Sequence, residues 1–309
     1  MNRSHLRWVL IGATAAAIGA GAALGTRVLT NLADATLPDA RGISNFNRPG
    51  TITLLASDGQ VIQKLGPATR EKLKAGEMPL LVQRAFIAAE DRRFFQHDGV
   101  DGWGVARALI TNIREGSVRE GASTITQQLA RTVFLSQDRT ITRKLKEAAL
   151  ALKLERQLSK QQILEQYLNY VYLGSGAYGI ADAAWIYFSK TPNELTLDQA
   201  ALIAGLPPAP SVYSPLVNPE LARQRRAVVL DRMQQSGFIS AAEANTAKQV
   251  PLNLKPSTPK YFLSLAPYFT NWVAQELPKL LSTEQLEVGG LKIRTSLNLA
   301  WQREAREVI

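Results

Sequence analysis

Helix start signals recur through the middle of this 309-residue sequence, and they constrain the fold more than any other feature. In a capping box, a serine or threonine precedes a helix and a glutamine or glutamate follows three residues later, so that each side chain caps the other's backbone N–H. Asn218 followed by Pro219 fits a second kind of start. The signals predict a mainly α-helical domain over residues 79–250, with capping boxes at Thr124 and Gln127, Ser159 and Gln162, Thr196 and Gln199, and Ser240 and Glu243.

Other patterns appear on both sides of this domain. The stretch "TITLLASDGQVIQKLG" alternates polar and apolar residues around Asp58-Gly59, which predicts a β-hairpin within residues 28–78. Prolines in "VPLNLKPSTPK", residues 250–260, indicate a boundary. Residues 251–309 are then a linker whose end, "VGGLKIRTSLNLAWQREAREVI", predicts a strand and a helix that begin a following module.

The amino terminus, residues 1–27, is predicted to be a cytoplasmic tail and a transmembrane anchor. Trp8 to Thr26 contain no charge, and as a helix they would span about 28 Å against a hydrocarbon core of about 30 Å. Arg3 and Arg7 precede this run, so the tail is expected inside and the remainder on the extracytoplasmic side. A signal peptide cleaved after residues 33–35 (Ala-Asp-Ala) is the alternative that the sequence leaves open.

Composition narrows the choice of partners. Lys and Arg number 36 against 26 Asp and Glu, and the net charge of +10 suits nucleic acid, an anionic membrane or a phosphate-bearing substrate. The absence of cysteine excludes disulfides and thiolate metal sites, and two histidines make a protein-built zinc site improbable. The stretch "GSGAYG" matches a dinucleotide-binding fingerprint, but helical spacing before it argues against a Rossmann fold.

Glu90 is the first candidate catalytic residue. Val82, Phe86, Glu90 and Phe94 recur at every fourth position, which predicts a carboxylate within the apolar stripe of a helix. Apolar surroundings disfavour the ionised form of a carboxylate and so prepare it to accept a proton.

Two further segments supply polar and cationic side chains at helix starts. Ser123 and Thr124 open one predicted helix, and Gln128 and Arg131 share a face of it. Its free backbone N–H groups could bind an anion, although the segment taken alone favours an ordinary capped helix. The next predicted helix begins with crowded cations that oppose its dipole, so they are either solvated or serve an anionic ligand. Glu147 follows one turn after Arg143, in line with apolar residues. These cations are Arg139, Arg143, Lys144 and Lys146. Two carboxylates with several cations are the groups needed to displace a phosphate leaving group.

These residues resemble the peptidoglycan glycosyltransferases of family 51, found in class A penicillin-binding proteins and as monofunctional enzymes. The resemblance covers about residues 80–215, and its segments are "EDRRFFQHDG", "GASTITQQLAR", "RKLKEAALALKLE", "QQILEQYLNYVYLGSGAYGIADAAWIYFSK" and "ALIAGLPPAPSVYSP". Glu90 and Glu147 fall on the family's catalytic glutamates. The positions that would contact the substrate's diphosphate and sugars are Ser123, Thr124, Gln128, Arg131, Arg139, Arg143 and Lys144.

The resemblance implies a lysozyme-like helical lobe with a smaller, membrane-associated lobe, to which residues 103–113 would add an apolar surface. It implies polymerisation of lipid II into β-1,4 glycan strands with inversion and release of undecaprenyl diphosphate. Glu90 would be the base, and Glu147 would assist departure by orienting the cations or a divalent ion such as Mg²⁺ or Mn²⁺; no metal-binding residues are predicted. The expected partners are lipid II, the growing strand, the plasma (inner) membrane and cell-wall synthesis proteins, not nucleic acid.

Some features depart from the family or leave alternatives open. Arg131 replaces the more usual lysine and Thr132 the usual asparagine, changes expected to tune diphosphate binding. The end of the sequence resembles a linker into a transpeptidase, a module expected to be absent from these 309 residues. A lysozyme-like hydrolase and an inactive membrane-anchored scaffold are the other two functional classes.

Overall fold

The computed structural model describes residues 43, 46, 51–66, 72–104, 123–135, 140–257, 264–282, 285–286 and 290–308. The predicted anchor over residues 8–26, the alternative cleavage site at residues 33–35, residues 105–113 and Arg139 lie outside this set. Among the residues that are described, no helix is both long and apolar enough to cross a membrane.

The described elements are mainly helical, as the start signals predict, with one small sheet. The helices are α1 (Leu80–Glu90), α2 (Ile125–Phe134), α3 (Ile141–Gln157), α4 (Lys160–Tyr170), α5 (Ile180–Phe188), α6 (Leu197–Ala204), α7 (Pro210–Tyr213), α8 (Pro219–Gln235), α9 (Ala241–Gln249), α10 (Pro267–Leu280) and α11 (Leu299–Val308). The strands are β1 (Ile52–Leu55), β2 (Val61–Leu65) and β3 (Leu291–Arg294). The chain divides into two compact units, one of Met1–Arg41 with Gln96–Ser159 and one of Gly42–Phe95 with Lys160–Ile309.

The described part of the first unit consists of α2 and α3, which pack against each other, and of residues 96–104, in which a loop at residues 97–101 leads to a helical turn at residues 102–104. Gly99 fits this loop against α3 because it has no side chain. Its φ is +97°, and a Cβ there would lie 2.8 Å from the carbonyl carbon and oxygen of Ala151. A larger residue would therefore push the loop away from the helix.

The helical part of the second unit is built around α1, α6 and α8, which pack on one another, with α9 against α8. Phe86 of α1 is fully buried and meets Tyr167 of α4 edge to face, with ring centroids 6.1 Å apart. Leu202 of α6 and Val229 of α8 are also excluded from solvent. Full burial of each such apolar side chain contributes about 1.5–3 kcal/mol to folding.

The sheet confirms the predicted hairpin and adds a strand from the other end of the chain. β1 and β2 pair antiparallel, and Gly59 takes the positive φ of +88° that the tight turn requires. The predicted carboxy-terminal strand and helix are β3 and α11. β3 pairs in parallel with β1, so the order is β2-β1-β3, and side chains of α10 and the start of α11 complete its core.

Most of the predicted helix starts are confirmed in atomic detail. Thr124, Thr196 and Ser240 each form the complete capping box. Asn218 is the N-cap of α8 with Pro219 at its first position.

The glycine-rich stretch at residues 174–179 is a turn between helices α4 and α5, and no strand follows it within residues 180–257. Gly174 has φ +81°, and a Cβ there would lie 2.4 Å from the carbonyl oxygen of Pro210. The glycines therefore serve close backbone packing, and the Rossmann interpretation is excluded.

Candidate active site

A buried carboxylate with two cationic partners lies in the first turns of α3. Thr140 caps this helix by accepting a hydrogen bond from the Arg143 backbone N–H at 3.1 Å. The helical repeat then places Arg143 and Lys144 four and three residues before Glu147, on the same face. One oxygen of Glu147 accepts from the Arg143 guanidinium, and the other accepts from Lys144 Nζ at 2.9 Å. Only 1% of Glu147 is exposed, so the carboxylate is almost wholly withdrawn from water.

The two cations retain donors that the carboxylate does not use. Lys144 Nζ also donates to the hydroxyl of Ser123 at 2.7 Å, which links the start of α3 to the start of α2. The Nε–H of Arg143 is buried and has no hydrogen-bond acceptor in the described part of the chain. A buried donor without an acceptor is costly, so this N–H is suited to an anionic ligand. We call Ser123, Arg143, Lys144 and Glu147 the cationic cluster.

Thr124 has a structural position at the start of α2. Its hydroxyl accepts from the Gln127 backbone N–H at 3.1 Å and donates to the Gly99 carbonyl at 2.6 Å, and the side chain is 2% exposed. Its hydroxyl proton is thus already used inside the protein. Thr124 was predicted to contact substrate, but these bonds suit it to a different task, which is to fix the start of α2 next to Ser123.

Gln128 and Arg131 are on α2, as the spacing predicts. Gln128 is 9% exposed and Arg131 is half-buried. Thr132 donates its hydroxyl to the Gln128 carbonyl at 2.9 Å, so this side chain bonds to its own helix.

Glu90 belongs to the second unit, and its position corrects one expectation. The stripe does not continue through Phe94: Glu90 is the last residue of α1, and Phe94 begins a separate short 3₁₀ helix at Phe94–Gln96. Phe86 and Phe94 are fully buried, whereas Glu90 is half-buried. The carboxylate therefore lies at the end of a helix, at the border of the core, and not within a continuous apolar stripe.

The end of α1 is fixed by a residue that sequence reasoning missed. The guanidinium of Arg232, on α8, donates to the carbonyl of Ala89. The last carbonyls of a helix have no partner within it and attract cations. No local signal could have identified this contact, because the two residues are 143 positions apart. His97 belongs to the other unit, where its Nδ1 accepts from the Gly99 N–H at 3.2 Å.

Comparison with known proteins decides the family. A family model described as transglycosylase matches residues 58–234, more than half of the chain. The chain belongs to the transglycosylase family. Both Glu90 and the cationic cluster lie within the matched residues, and the resemblance inferred from the sequence motifs is confirmed.

Curated relatives of this transglycosylase include penicillin-binding proteins. Penicillin-binding protein 1A of Neisseria flavescens is 44% identical over 273 residues, which cover 88% of this chain and 34% of the relative. Penicillin-binding protein 1A of Aquifex aeolicus is 41% identical over 271 residues, covering 88% and 37%. A crystal structure of penicillin-binding protein 1A from Haemophilus influenzae is 26% identical with a TM-score of 0.43, covering 85% of this chain and 29% of that one. This transglycosylase thus spans about a third of the length of the relatives it matches.

Proposed function

We propose that the chain is a peptidoglycan glycosyltransferase, which polymerises lipid II into β-1,4 glycan strands in bacterial cell-wall synthesis. The observation that carries this proposal is the buried Glu147 held between Arg143 and Lys144 in a member of the transglycosylase family. Release of a diphosphate from an anomeric carbon develops negative charge on the leaving group. Fixed cations at that position stabilise the transition state.

The cationic cluster is assigned to the leaving group. Arg143 and Lys144 bind the diphosphate of the growing chain, with the unused Nε–H of Arg143 and the hydroxyl of Ser123 as further donors. Glu147 orients the two cations, so that they are in place before charge develops. Three more residues are proposed to contact the diphosphate or the sugars on the basis of the family motifs, namely Gln128, Arg131 and Arg139.

Glu90 is proposed as the general base. Its carboxylate removes the proton from the 4-hydroxyl of the acceptor lipid II as that oxygen attacks the anomeric carbon of the growing chain. A new glycosidic bond forms with inversion, and the bond to undecaprenyl diphosphate breaks with the electron pair leaving on the diphosphate. The half-buried position at the end of α1 supports this role, because it limits solvation of the carboxylate without removing it from a bound hydroxyl.

The side chains of the cationic cluster do not offer the ligands that a divalent cation at the diphosphate would need. Mg²⁺ and Mn²⁺ prefer several oxygen ligands. Both oxygens of Glu147 already accept hydrogen bonds from cationic side chains, and the neighbouring groups are donors. We therefore assign no metal to these residues and no step of the reaction to one.

The cellular setting is part of the same proposal. The uncharged run at residues 8–26 supports a single-pass anchor in the plasma (inner) membrane, with the catalytic domain on the extracytoplasmic side. We propose that residues 79–250 form the glycosyltransferase domain, with a lysozyme-like lobe and a smaller membrane-associated lobe. Residues 28–78 and 251–309 would connect it to the anchor and to a following module. Cell-wall synthesis proteins are the expected partners.

The proposal is tested by incubating the purified full chain in detergent with lipid II and separating the products by size. Long glycan strands with release of undecaprenyl diphosphate are expected. Shortening of preformed glycan without polymer formation would instead identify a hydrolase, and neither reaction would identify a scaffold.

The role of Glu90 is tested in the same assay. Glu90→Gln keeps the side-chain shape but removes the base, so turnover should fall by about 10²- to 10⁴-fold while lipid II binding survives. The matched control is Glu220→Gln, because Glu220 is 65% exposed and pairs with Arg223 at the surface. Near-normal turnover in Glu90→Gln would show that another group removes the proton.

A further inference from the structure

The segment that begins in the last turn of α9 and runs to Ser257 is attached to the helical lobe near both of its ends. We call residues 248–257 the strap. Near its end, the backbone N–H of Lys255 donates to the Tyr187 carbonyl at 2.9 Å, and that of Ser257 donates to the Ile186 carbonyl at 3.0 Å. Both acceptors belong to the last turn of α5. The described part of the proline-rich boundary predicted from the sequence is therefore hydrogen-bonded to the end of a helix. A flexible linker would not make such bonds.

The beginning of the strap is held by a buried cation. Arg226 of α8 is 1% exposed, and its guanidinium donates to the carbonyls of Lys248 at 3.0 Å and Val250 at 2.6 Å. Burial lowers the pKa of Arg226, which Asp198 at 3.8 Å partly offsets. A buried guanidinium needs acceptors, and here the strap backbone supplies two of them.

Ser189 joins the strap to α5 through its side chain. It is the C-cap of that helix and has a left-handed φ of +56°, a conformation that glycine adopts most easily. Its hydroxyl lies 2.8 Å from the Lys255 carbonyl and 2.6 Å from the Ser257 hydroxyl. With one proton, it donates to the carbonyl and accepts from Ser257. A glycine would suit the backbone better, but only a hydrogen-bonding side chain at this position can add these two bonds to the backbone bonds of the strap.

Tyr187 connects the same helix turn to the glycine-rich turn at residues 173–179. Its hydroxyl donates to the Leu173 carbonyl at 2.7 Å, and burial raises the pKa of this phenol. The hydroxyl packs so closely on Gly174 that a Cβ there would be 3.0 Å away. The turn is closed by its own backbone bonds, including Leu173 N–H to Ala177 carbonyl at 2.9 Å and Ala177 N–H to Gly174 carbonyl at 2.8 Å. Tyr187 therefore contacts the strap with its backbone and the turn with its side chain.

We propose that the strap is a positioning device for the turn at residues 173–179, with Ser189 as the residue that fastens it. Strap bonds hold the last turn of α5, and Tyr187 passes that constraint to Leu173 and Gly174. Release of the strap then loosens the turn without unfolding the lobe. The proposal concerns the folded chain itself and stands whether or not the chain polymerises lipid II.

The test is residue-resolved hydrogen exchange on the full chain in detergent, comparing wild type with Ser189→Gly. This change relieves the left-handed backbone, because it removes Cβ, and it also removes the hydroxyl with both of its hydrogen bonds to the strap. Loss of exposed hydrogen bonds should speed exchange at the Lys255 and Ser257 amides by roughly two- to tenfold. If the coupling exists, exchange at Leu173 and Ala177 also rises. Ser189→Asn, which tolerates the same backbone and keeps a polar side chain, should restore protection at these amides.

The control is Ser236→Gly. Ser236 is also a helix C-cap, and its side chain makes no hydrogen bond within the described residues. This variant should leave the strap and turn amides unchanged. Faster exchange of the strap amides alone in Ser189→Gly would overturn the coupling, and unchanged exchange at both segments would overturn the fastening role. Equal acceleration at core amides of α8 would identify global destabilisation and also overturn a local device.

Discussion

Replacing Glu147 by glutamine should destabilise the protein, because the side chain is a buried counterion. Removing one partner of a buried ion pair costs about 3–5 kcal/mol. Here the partners can recover part of this by hydration, since the side chains of Arg143 and Lys144 are 16% and 46% exposed. Glutamine also keeps one acceptor oxygen. We therefore expect a loss of about 2–3 kcal/mol, which corresponds to a fall in Tm of about 4–12 °C for a domain of this size.

The assay is thermal unfolding followed by circular dichroism in a fixed detergent, with and without pyrophosphate. The control, Glu220→Gln, makes the same chemical change in an exposed pair and should shift the unfolding free energy by less than about 0.5 kcal/mol. Glu147→Gln leaves both cations uncompensated, so pyrophosphate should raise its Tm at least as much as it does for wild type. An unchanged Tm, or loss of the pyrophosphate effect, would refute the reasoning that Glu147 balances these cations.

Two further predictions concern the loop against α3 and the start of α9. Gly99→Ala should lower the unfolding free energy by about 3 kcal/mol or more, because it adds a clash with Ala151 to an unfavourable positive φ. The control is Gly59→Ala, where φ is +88° but the space around the new Cβ is open, so that only the backbone strain is measured. An equal loss of unfolding free energy in the two variants would contradict the clash. The backbone N–H and the hydroxyl of Ser240 donate to the Glu243 carboxylate and hold its pKa below the usual value of 4.5. The ionised carboxylate therefore stabilises the folded protein above pH 4.5, and this stabilisation is lost as the pH falls through the lower folded-state pKa. The Tm difference between wild type and Glu243→Gln should therefore shrink from pH 6 to pH 3, and a constant difference would contradict it.

Local signals predicted the parts of the fold that depend on neighbouring residues. The hairpin at Asp58-Gly59 and the capping box at Ser240 were confirmed because a turn type or a helix start is set within about four residues. The parallel pairing of β3 with β1 could not be predicted in this way. It joins Ile52 to Leu291, and the choice of partner depends on the core that the two ends of the chain form together.

The same distinction explains which contacts among the candidate site residues could be predicted from the sequence. Glu147 and its cations are three and four residues apart on one helix, so the helical repeat alone brings them together. Glu90 was expected within a continuous stripe, but α1 ends at Glu90, where Arg232, far away in the sequence, donates to the Ala89 carbonyl. The difference has a chemical consequence. A counterion role needs only its local partners. The base role proposed for Glu90 depends on how its carboxylate is solvated, and therefore on where α1 ends, which the distant contact from Arg232 helps to determine.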